Sequence, residues 1–308
     1  MIGLGAMGLP ITRHLLAAGV RVAVHDLDPA AVREAAALGA RPADSPADAA
    51  RGAAVVAVFV PTDQDVLNVC LGERGVLAGI ERGMSAPTGE NIVAPDQATP
   101  AHAARDQAAL RRRGAESGPV VLLCSSVRPE TCVHVAQAAP PGVDVLDAAL
   151  TGGVRGAEAG AINLLVGGDV EVLERVRPLL APWTAAVHHL GPLGAGQVGK
   201  TANNLVHWAQ ICAVTEALEL ARRAGVDVEV LRRALLDGPV ASRTLRELEY
   251  MRLTWHAKDL ANAARLAAEV GMEIPVAETA RRVMAGIGPA DVARLLANGP
   301  LNRPVTLE

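Results

Sequence analysis

Short apolar runs alternate with amphipathic stretches through residues 1–191 of the chain. The runs are "RVAVHD" (21–26), "AAVVAVFVP" (53–61), "VVLLCSS" (120–126), "VDVLDAAL" (143–150) and "AINLLVGG" (161–168). They are rich in β-branched and other apolar residues, the pattern of parallel strands covered on both faces. Between them, residues 6–18, 29–38 and 129–138 space their apolar positions as amphipathic helices do. Strand–helix alternation of this kind predicts an α/β fold built on a doubly wound parallel sheet.

Beyond residue 192 the pattern is helical throughout. The stretch "GAGQVGKTANNLVHWAQICAVTEALELARRAG" (194–225) keeps one periodicity up to Gly225, which suits a C-terminal cap. Its length predicts a helix leading from one domain to the next. Residues 227–236, 241–251, 256–270, 275–286 and 289–297 read as further helices. The expected organisation is an α/β domain over 1–191 and an all-α domain over 192–308. Residues 84–119 fit neither, being rich in Pro, Ala, Gly and charge. They read as a surface insertion with one short helix near 100–113, because structureless connections of that length are uncommon inside a domain. The "RRR" of 111–113 reads as a solvated face.

Composition narrows the function. The chain has 308 residues, half of them apolar, yet its aromatics are only Trp183, Trp208, Trp255, Tyr250 and Phe59. The core must therefore be built from Ala, Val and Leu. Trp255 and Tyr250 are expected in that core, with a pocket wall as the other reading. A net charge of −4 and a shortage of stacking rings argue against nucleic acid as a partner. Cys70, Cys124, Cys132 and Cys212 form no CxxC pair, so buried free thiols are expected rather than a zinc site or disulfide framework. No apolar run reaches the length of a membrane span and no leader is visible, so no membrane association and a cytoplasmic location are expected.

The hexamer "GLGAMG" (Gly3, Leu4, Gly5, Ala6, Met7, Gly8) matches G-x-G-x-x-G, opens a helix and is followed by a strand ending at Asp26. In this pattern the first glycine permits the turn, the second admits a pyrophosphate to the backbone, and the third lets helix and strand pack closely. The helix N-terminus then offers amides and a positive dipole to phosphate. Asp26 would accept the ribose hydroxyls and repel a 2′-phosphate, which favours NAD while leaving NADP open. The expected domain is thus of Rossmann type. Only Met1 and Ile2 precede Gly3. That leaves most of the first strand out and predicts a weakened sheet beneath the loop.

Lys200, Asn203 and Asn204 stand three and four residues apart, so a helix gathers them on one face. This reads either as an exposed helical lysine or as a site. His207 follows on the same face and reads as packed or solvated. His188 and His189 are adjacent, so on a strand they point to opposite faces and no metal site is expected.

With these pieces the chain resembles the β-hydroxyacid dehydrogenase family, the 3-hydroxyisobutyrate dehydrogenase-like enzymes of the 6-phosphogluconate dehydrogenase superfamily. Four motifs carry the resemblance: residues 2–29, "LDAALTGGVRGAEAGAINLLVGGD" (146–169), "GPLGAGQVGKTANN" (191–204) and "KDLANAARLAAEVGMEIP" (258–275). The resemblance implies that Lys200 is the catalytic acid/base and that Asn204, with Asn203 beside it, contacts the substrate. It implies that Thr151, Gly152 and Gly153 hold the substrate carboxylate, a threonine standing where the family has serine. Val60 and Pro61 of "FVPT", and Ser126 of "CSSVRP", are then cofactor contacts. Lys258 and Asp259 match a pair that closes the site, with a surface ion pair as the other reading. The implied activity is hydride transfer between NAD(P) and a small 3-hydroxy acid or its semialdehyde. The implied assembly is a homodimer or homotetramer. The other readings are a non-catalytic cofactor-binding module of the same fold and an imine reductase, against which Lys200 argues.

Overall fold

The computed structural model describes residues 1–85 and 118–301. The helix expected near 100–113 and the arginines of 111–113 lie outside them. The chain divides into two compact units, Met1–Lys200 and Thr201–Glu308.

In the first unit, strands and helices alternate. They run α1 (Gly8–Ala17), β1 (Ala23–Val24), α2 (Pro29–Ala37), β2 (Arg41–Pro42), α3 (Pro46–Ala50), β3 (Val55–Val58), α4 (Asp63–Leu71) and α5 (Val76–Met84). After the undescribed segment come β4 (Val120–Leu123), α6 (Pro129–Gln137), β5 (Asp144–Thr151), α7 (Gly153–Glu158), β6 (Ile162–Gly167), α8 (Val170–Leu180) and β7 (Thr184–Gly191). The strands β3-β4-β5-β6-β7 form one sheet in that order and β1-β2 form another. The strand expected over 21–26 is thus only Ala23–Val24.

Ile2 joins the two pieces. It makes parallel bridges to His25 on one side and Val58 on the other. Its amide donates to the Ala57 carbonyl at 2.9 Å and its carbonyl accepts from Phe59 N–H at 2.7 Å. On the other side Gly3 N–H donates to the His25 carbonyl at 2.9 Å, and His25 N–H to the Met1 carbonyl at 3.0 Å. The strand positions therefore run β2, β1, Ile2, β3, β4, β5, which is the doubly wound order expected of a Rossmann-type sheet.

β4 shows why the apolar runs are continuous. All four of its residues are buried. Val120 and Leu122 join one core with Ile11, Leu146 and Trp183, while Val121 and Leu123 join the opposite core with Val66, Ile80 and Val135. Successive side chains point to opposite faces, and both faces are covered.

One neighbour departs from the parallel arrangement: β6 runs antiparallel to β5. Residues 152–161 hold only the single short helix α7. A parallel return needs a crossover of about a dozen residues or more. The chain therefore re-enters at the edge it left and runs back.

The second unit is helical. Its elements are α9 (Ala195–Arg223), which begins in the first unit, α10 (Val228–Leu236), α11 (Arg243–Arg246), α12 (His256–Glu269), α13 (Pro275–Met284) and α14 (Pro289–Leu296). α9 ends as expected at Gly225, whose φ is +83°. Gly225 N–H donates to the Arg222 carbonyl and Val226 N–H to Ala221. The single helix expected over 241–251 is instead α11 followed by a 3-10 turn at Leu248–Tyr250. Arg232 is the cause. Its buried guanidinium donates to the carbonyls of Leu245 (3.0 Å) and Arg246 (2.6 Å) and pairs with Glu249 at 2.5 Å, taking acceptors that a continuing helix would use.

All four cysteines are free and buried, as expected. Burial pushes the Cys70 thiol up to about 12 and that of Cys212 to about 11. Cys124 and Cys132 are raised for the same reason. Among the described residues no helix is long and apolar enough to cross a membrane.

Glu219, buried on α9, accepts from Arg222 at 2.8 Å and Arg223 at 2.7 Å. The Arg222 bond first, and then Arg223, hold its carboxyl down at about 2, from an ordinary 4.5. A depressed carboxyl stabilises the fold fully above its unfolded value and loses that contribution as pH falls toward its folded value. Urea unfolding followed from about pH 5 down to about pH 2 should therefore fall more steeply for wild type than for Glu219→Gln, by up to one bound proton. Parallel curves would refute the pairing.

Candidate active site

The glycine-rich loop divides its labour as the motif requires. Gly3 has φ +91°, and a Cβ there would meet the Phe59 carbonyl oxygen at 2.2 Å. A Cβ on Gly8, the first residue of α1, would lie 2.0 Å from the Gly3 carbonyl oxygen. Gly5, by contrast, is exposed and has nothing within 4 Å of its Cβ position. The first and third glycines permit close packing, and the second leaves a backbone that a phosphate can approach. Ala6 is exposed beside it, Met7 is half-buried and Leu4 is in the core. No described side chain caps α1 at Met7, which suits an anion at its first amides. Asp26, at the end of β1, accepts from Leu4 N–H at 2.5 Å and from Asp28 N–H at 2.8 Å. A carboxylate has about four acceptor positions, so it can hold both amides and still take a hydroxyl. The residues present fit the expected dinucleotide.

The strand ends beside this loop are tied to one another. After β3, Val60 N–H donates to Ser125 Oγ at 2.8 Å, while Pro61 is exposed. Asp63 at the start of α4 accepts from Arg128 N–H at 2.9 Å and from Thr131 Oγ1 at 2.5 Å. Burial of Asp63 works to raise its carboxyl, but these donors outweigh burial and leave it below its ordinary value. Ser126, at the end of β4, is half-buried between two residues held by Gln197. Gln197 Nε2 donates to the Ser125 carbonyl at 2.9 Å, and its Oε1 accepts from Val127 N–H at 3.1 Å. Asp147 of β5 accepts from Gly194 N–H at 2.6 Å and Gln197 N–H at 2.8 Å. Burial raises the Asp147 carboxyl, and its amide donors oppose the rise.

Thr151 ends β5, and Gly152 and Gly153 follow with φ of +113° and +62°. Both lie in the left-handed region that favours glycine, and Gly153 faces open space. Lys200 is half-buried on α9, three residues beyond Gln197. Asn203 and Asn204 follow on the same helix in the second unit. Asn204 is buried and Asn203 exposed, with Asn203 Nδ2 donating to Asn204 Oδ1 at 3.2 Å. Lys258 and Asp259 lie in the first turn of α12. Asp259 accepts from the indole N–H of Trp208 at 3.0 Å, which gives it a packing role within the second unit.

The description "NAD binding domain of 6-phosphogluconate dehydrogenase" matches residues 1–111 and 91–191. That of "NAD-binding of NADP-dependent 3-hydroxyisobutyrate dehydrogenase" matches residues 194–294. The chain belongs to the 3-hydroxyisobutyrate dehydrogenase-like β-hydroxyacid dehydrogenase family. A 3-hydroxyisobutyrate dehydrogenase of Pseudomonas aeruginosa is 35% identical over 235 residues, 76% of this chain and 67% of that protein. An NAD-dependent L-serine dehydrogenase of the same organism is 36% identical over 232 residues, 75% of this chain and 66% of that protein. The chain thus matches about two thirds of the length of these relatives. Among solved structures, Mycobacterium tuberculosis 3-hydroxyisobutyrate dehydrogenase with L-serine aligns with a TM-score of 0.70 at 25% identity, covering 92% of this chain and 91% of that one.

Two aromatic residues of this family member fall differently from expectation. Trp255 and Tyr250 are not in the core: they are 58% and 60% exposed. The helical core is built instead around residues such as Trp208, Leu248 and Leu253. His188 and His189 lie on β7, and His189 Nε2 sits 2.8 Å from the Gly168 carbonyl. His207 packs on Trp208 and lies 3.0 Å from Thr244 Oγ1. No group of three or more metal-ligating side chains occurs among the described residues. Asp147 and Gln197 are not among the residues the sequence motifs single out. The available signal was an acid inside an apolar parallel-strand run, a position where charge is almost never buried unless paired.

The loop geometry separates folding from binding. Gly8→Ala should cost about 1–3 kcal/mol of stability, because both atoms that would clash are backbone-bound. Gly5→Ala should stay within about 0.5 kcal/mol of wild type yet weaken NAD(P) binding, since its methyl group occupies the approach to the loop. Thermal unfolding alongside calorimetric titration checks both, and a Gly5→Ala variant that binds like wild type would remove the loop from the cofactor site.

Proposed function

We propose that this chain is an NAD-preferring dehydrogenase of small 3-hydroxy acids, or a reductase of the corresponding semialdehydes, with Lys200 as general acid/base. What carries the reading is a convergence at one edge of the sheet. The glycine loop, Asp26, Val60–Pro61, Ser126 and Thr151–Gly153 all follow the carboxyl ends of strands that run parallel to one another, where open α/β sheets bind ligands. Gln197 ties the start of α9, and so the backbone three residues before Lys200, to that same edge.

Gly3–Gly8 and the start of α1 would hold the pyrophosphate and Asp26 the ribose, with Ser126 on the nicotinamide side and Val60 and Pro61 lining the cofactor. When bound, the nicotinamide supplies the hydride acceptor or donor. Lys200 Nζ takes the hydroxyl proton during oxidation and, as the ammonium, returns it to the carbonyl oxygen in reduction. Oxidation needs the neutral amine and should therefore rise toward alkaline pH. The Thr151 hydroxyl and the Gly152–Gly153 amides would hold the substrate carboxylate, with Asn204 orienting the reacting oxygen. The relatives named for 3-hydroxyisobutyrate and L-serine support a short β-hydroxy acid as substrate.

Calorimetry with NAD and NADP, followed by a screen of short hydroxy acids, tests the reading. NAD should bind more tightly than NADP. Lys200→Ala should lower kcat by about 10²–10⁴-fold without changing NAD affinity. A folded protein that binds neither cofactor would overturn the proposal.

A further inference from the structure

We infer that Asp147 and Gln197 are positioning residues for the reaction: together they lock the first turn of α9, which carries Lys200, to the strand end that carries Ser126. The inference rests on the proposed function, because the role of Lys200 is what gives the placement of α9 a kinetic consequence.

Asp147 sits in the middle of the sheet, paired with Leu123 of β4, and is fully buried. A carboxylate there is costly unless its oxygens are bonded. Both are. Oδ1 takes the amide of Gly194 and Oδ2 that of Gln197, from the orphan donors at the start of α9. Its charge also meets the positive end of a 29-residue helix. Most helices are capped by a residue beside them in sequence, which fixes the end only relative to itself. Here the cap comes from β5, so the helix start is fixed relative to the sheet.

The surroundings are shaped for this contact. A Cβ on Gly167 would lie 2.3 Å from Asp147 Oδ1, and one on Gly196 would lie 2.6 Å from Oδ2. Gly194 itself has φ +96°. Three glycines thus let the helix start and the neighbouring strand close onto one carboxylate.

Gln197 extends the lock. It is 1% exposed, and its amide group bonds the residue on each side of Ser126, accepting from Val127 and donating to Ser125. One side chain therefore sets the height of the Ser126 strand end against the helix that bears Lys200 three residues later. A displacement of about 1 Å at a reacting group can lower rate by about 10²-fold, so a lock of this kind should be visible in kinetics.

The test uses the full chain with Asp147→Asn and Gln197→Met. Asp147→Asn keeps the shape but turns one acceptor into a donor facing an N–H. Its kcat should fall about 10–100-fold, while NAD affinity measured by calorimetry stays at the wild-type value. Gln197→Met should weaken NAD binding as well, because the flanks of Ser126 are released. Loss of thermal stability with kcat intact in Asp147→Asn would overturn the inference. So would equal losses of kcat and NAD affinity in that variant, which indicate general loosening. Amide hydrogen exchange on the unmodified protein gives a readout independent of activity and of whether the variants fold. The Gly194, Gln197 and Val127 amides should be as protected as those of β4, and rapid exchange there would overturn the lock. A wild-type protein that turns over no hydroxy acid would refute the proposed function instead, with the exchange data still deciding whether the anchor exists.

Discussion

Backbone hydrogen bonds on the two sides of Ile2 determine whether the first unit has one sheet or two. Everything at the ligand-facing edge hangs from that residue: the glycine loop leaves it directly, and β1 and β3 are held in register by it. Each such bond contributes about 0.5–1.5 kcal/mol net. Burial weighs more. Ile2 and Leu4 are almost wholly enclosed, and each such side chain contributes about 1.5–3 kcal/mol. The two apolar side chains enter opposite cores, so the segment is pinned from above and below as well as from its flanks. A single bridging residue thus connects the two groups of strands, and the sheet is at its thinnest there, with β1 reduced to two residues.

The same edge is consolidated by side chains that reach from one loop to the next. Asp26 holds the glycine loop, Ser125 holds the end of β3, Asp63 holds the start of α6, and Gln197 with Asp147 holds the start of α9. Each link spans a different pair of elements, so the loops joined in this way do not rely on their own conformation alone. Rigid placement of this kind is what acid–base and hydride chemistry require of groups drawn from distant parts of a chain.

How much of this could be read from residues depends on how local the cause is. The strands β3 to β6, the glycine loop and the end of α9 at Gly225 are set by apolar pattern and by glycine's left-handed freedom, both visible in a few consecutive residues. The direction of β6 depends on how far the short α7 can carry the chain, which pattern alone does not express. The break within 241–251 comes from Arg232, a residue of another helix, and propensity offers no sign of it. β2 carries no apolar pattern, being two exposed residues. Trp255 and Tyr250 lie at the surface, although an aromatic in a chain so poor in them looks like core. Among the candidate site residues, those on the glycine loop were legible through steric need. Asp147 and Gln197 were not, because their partners lie on other elements and 47 or more residues away.

The four enclosed thiols bear on how this molecule meets its surroundings. With burial holding them in the protonated form, none is a nucleophile at neutral pH. Oxidants and alkylating reagents therefore find little to react with while the fold is closed. Cys70 on α4 and Cys132 on α6 share one core, Cys124 just past β4 lies in the core on the other face of the sheet, and Cys212 on α9 lies in the helical core. Chemical damage to any of them is then a record that the core holding it has opened, which makes the set a reporter of local breathing written into the chain.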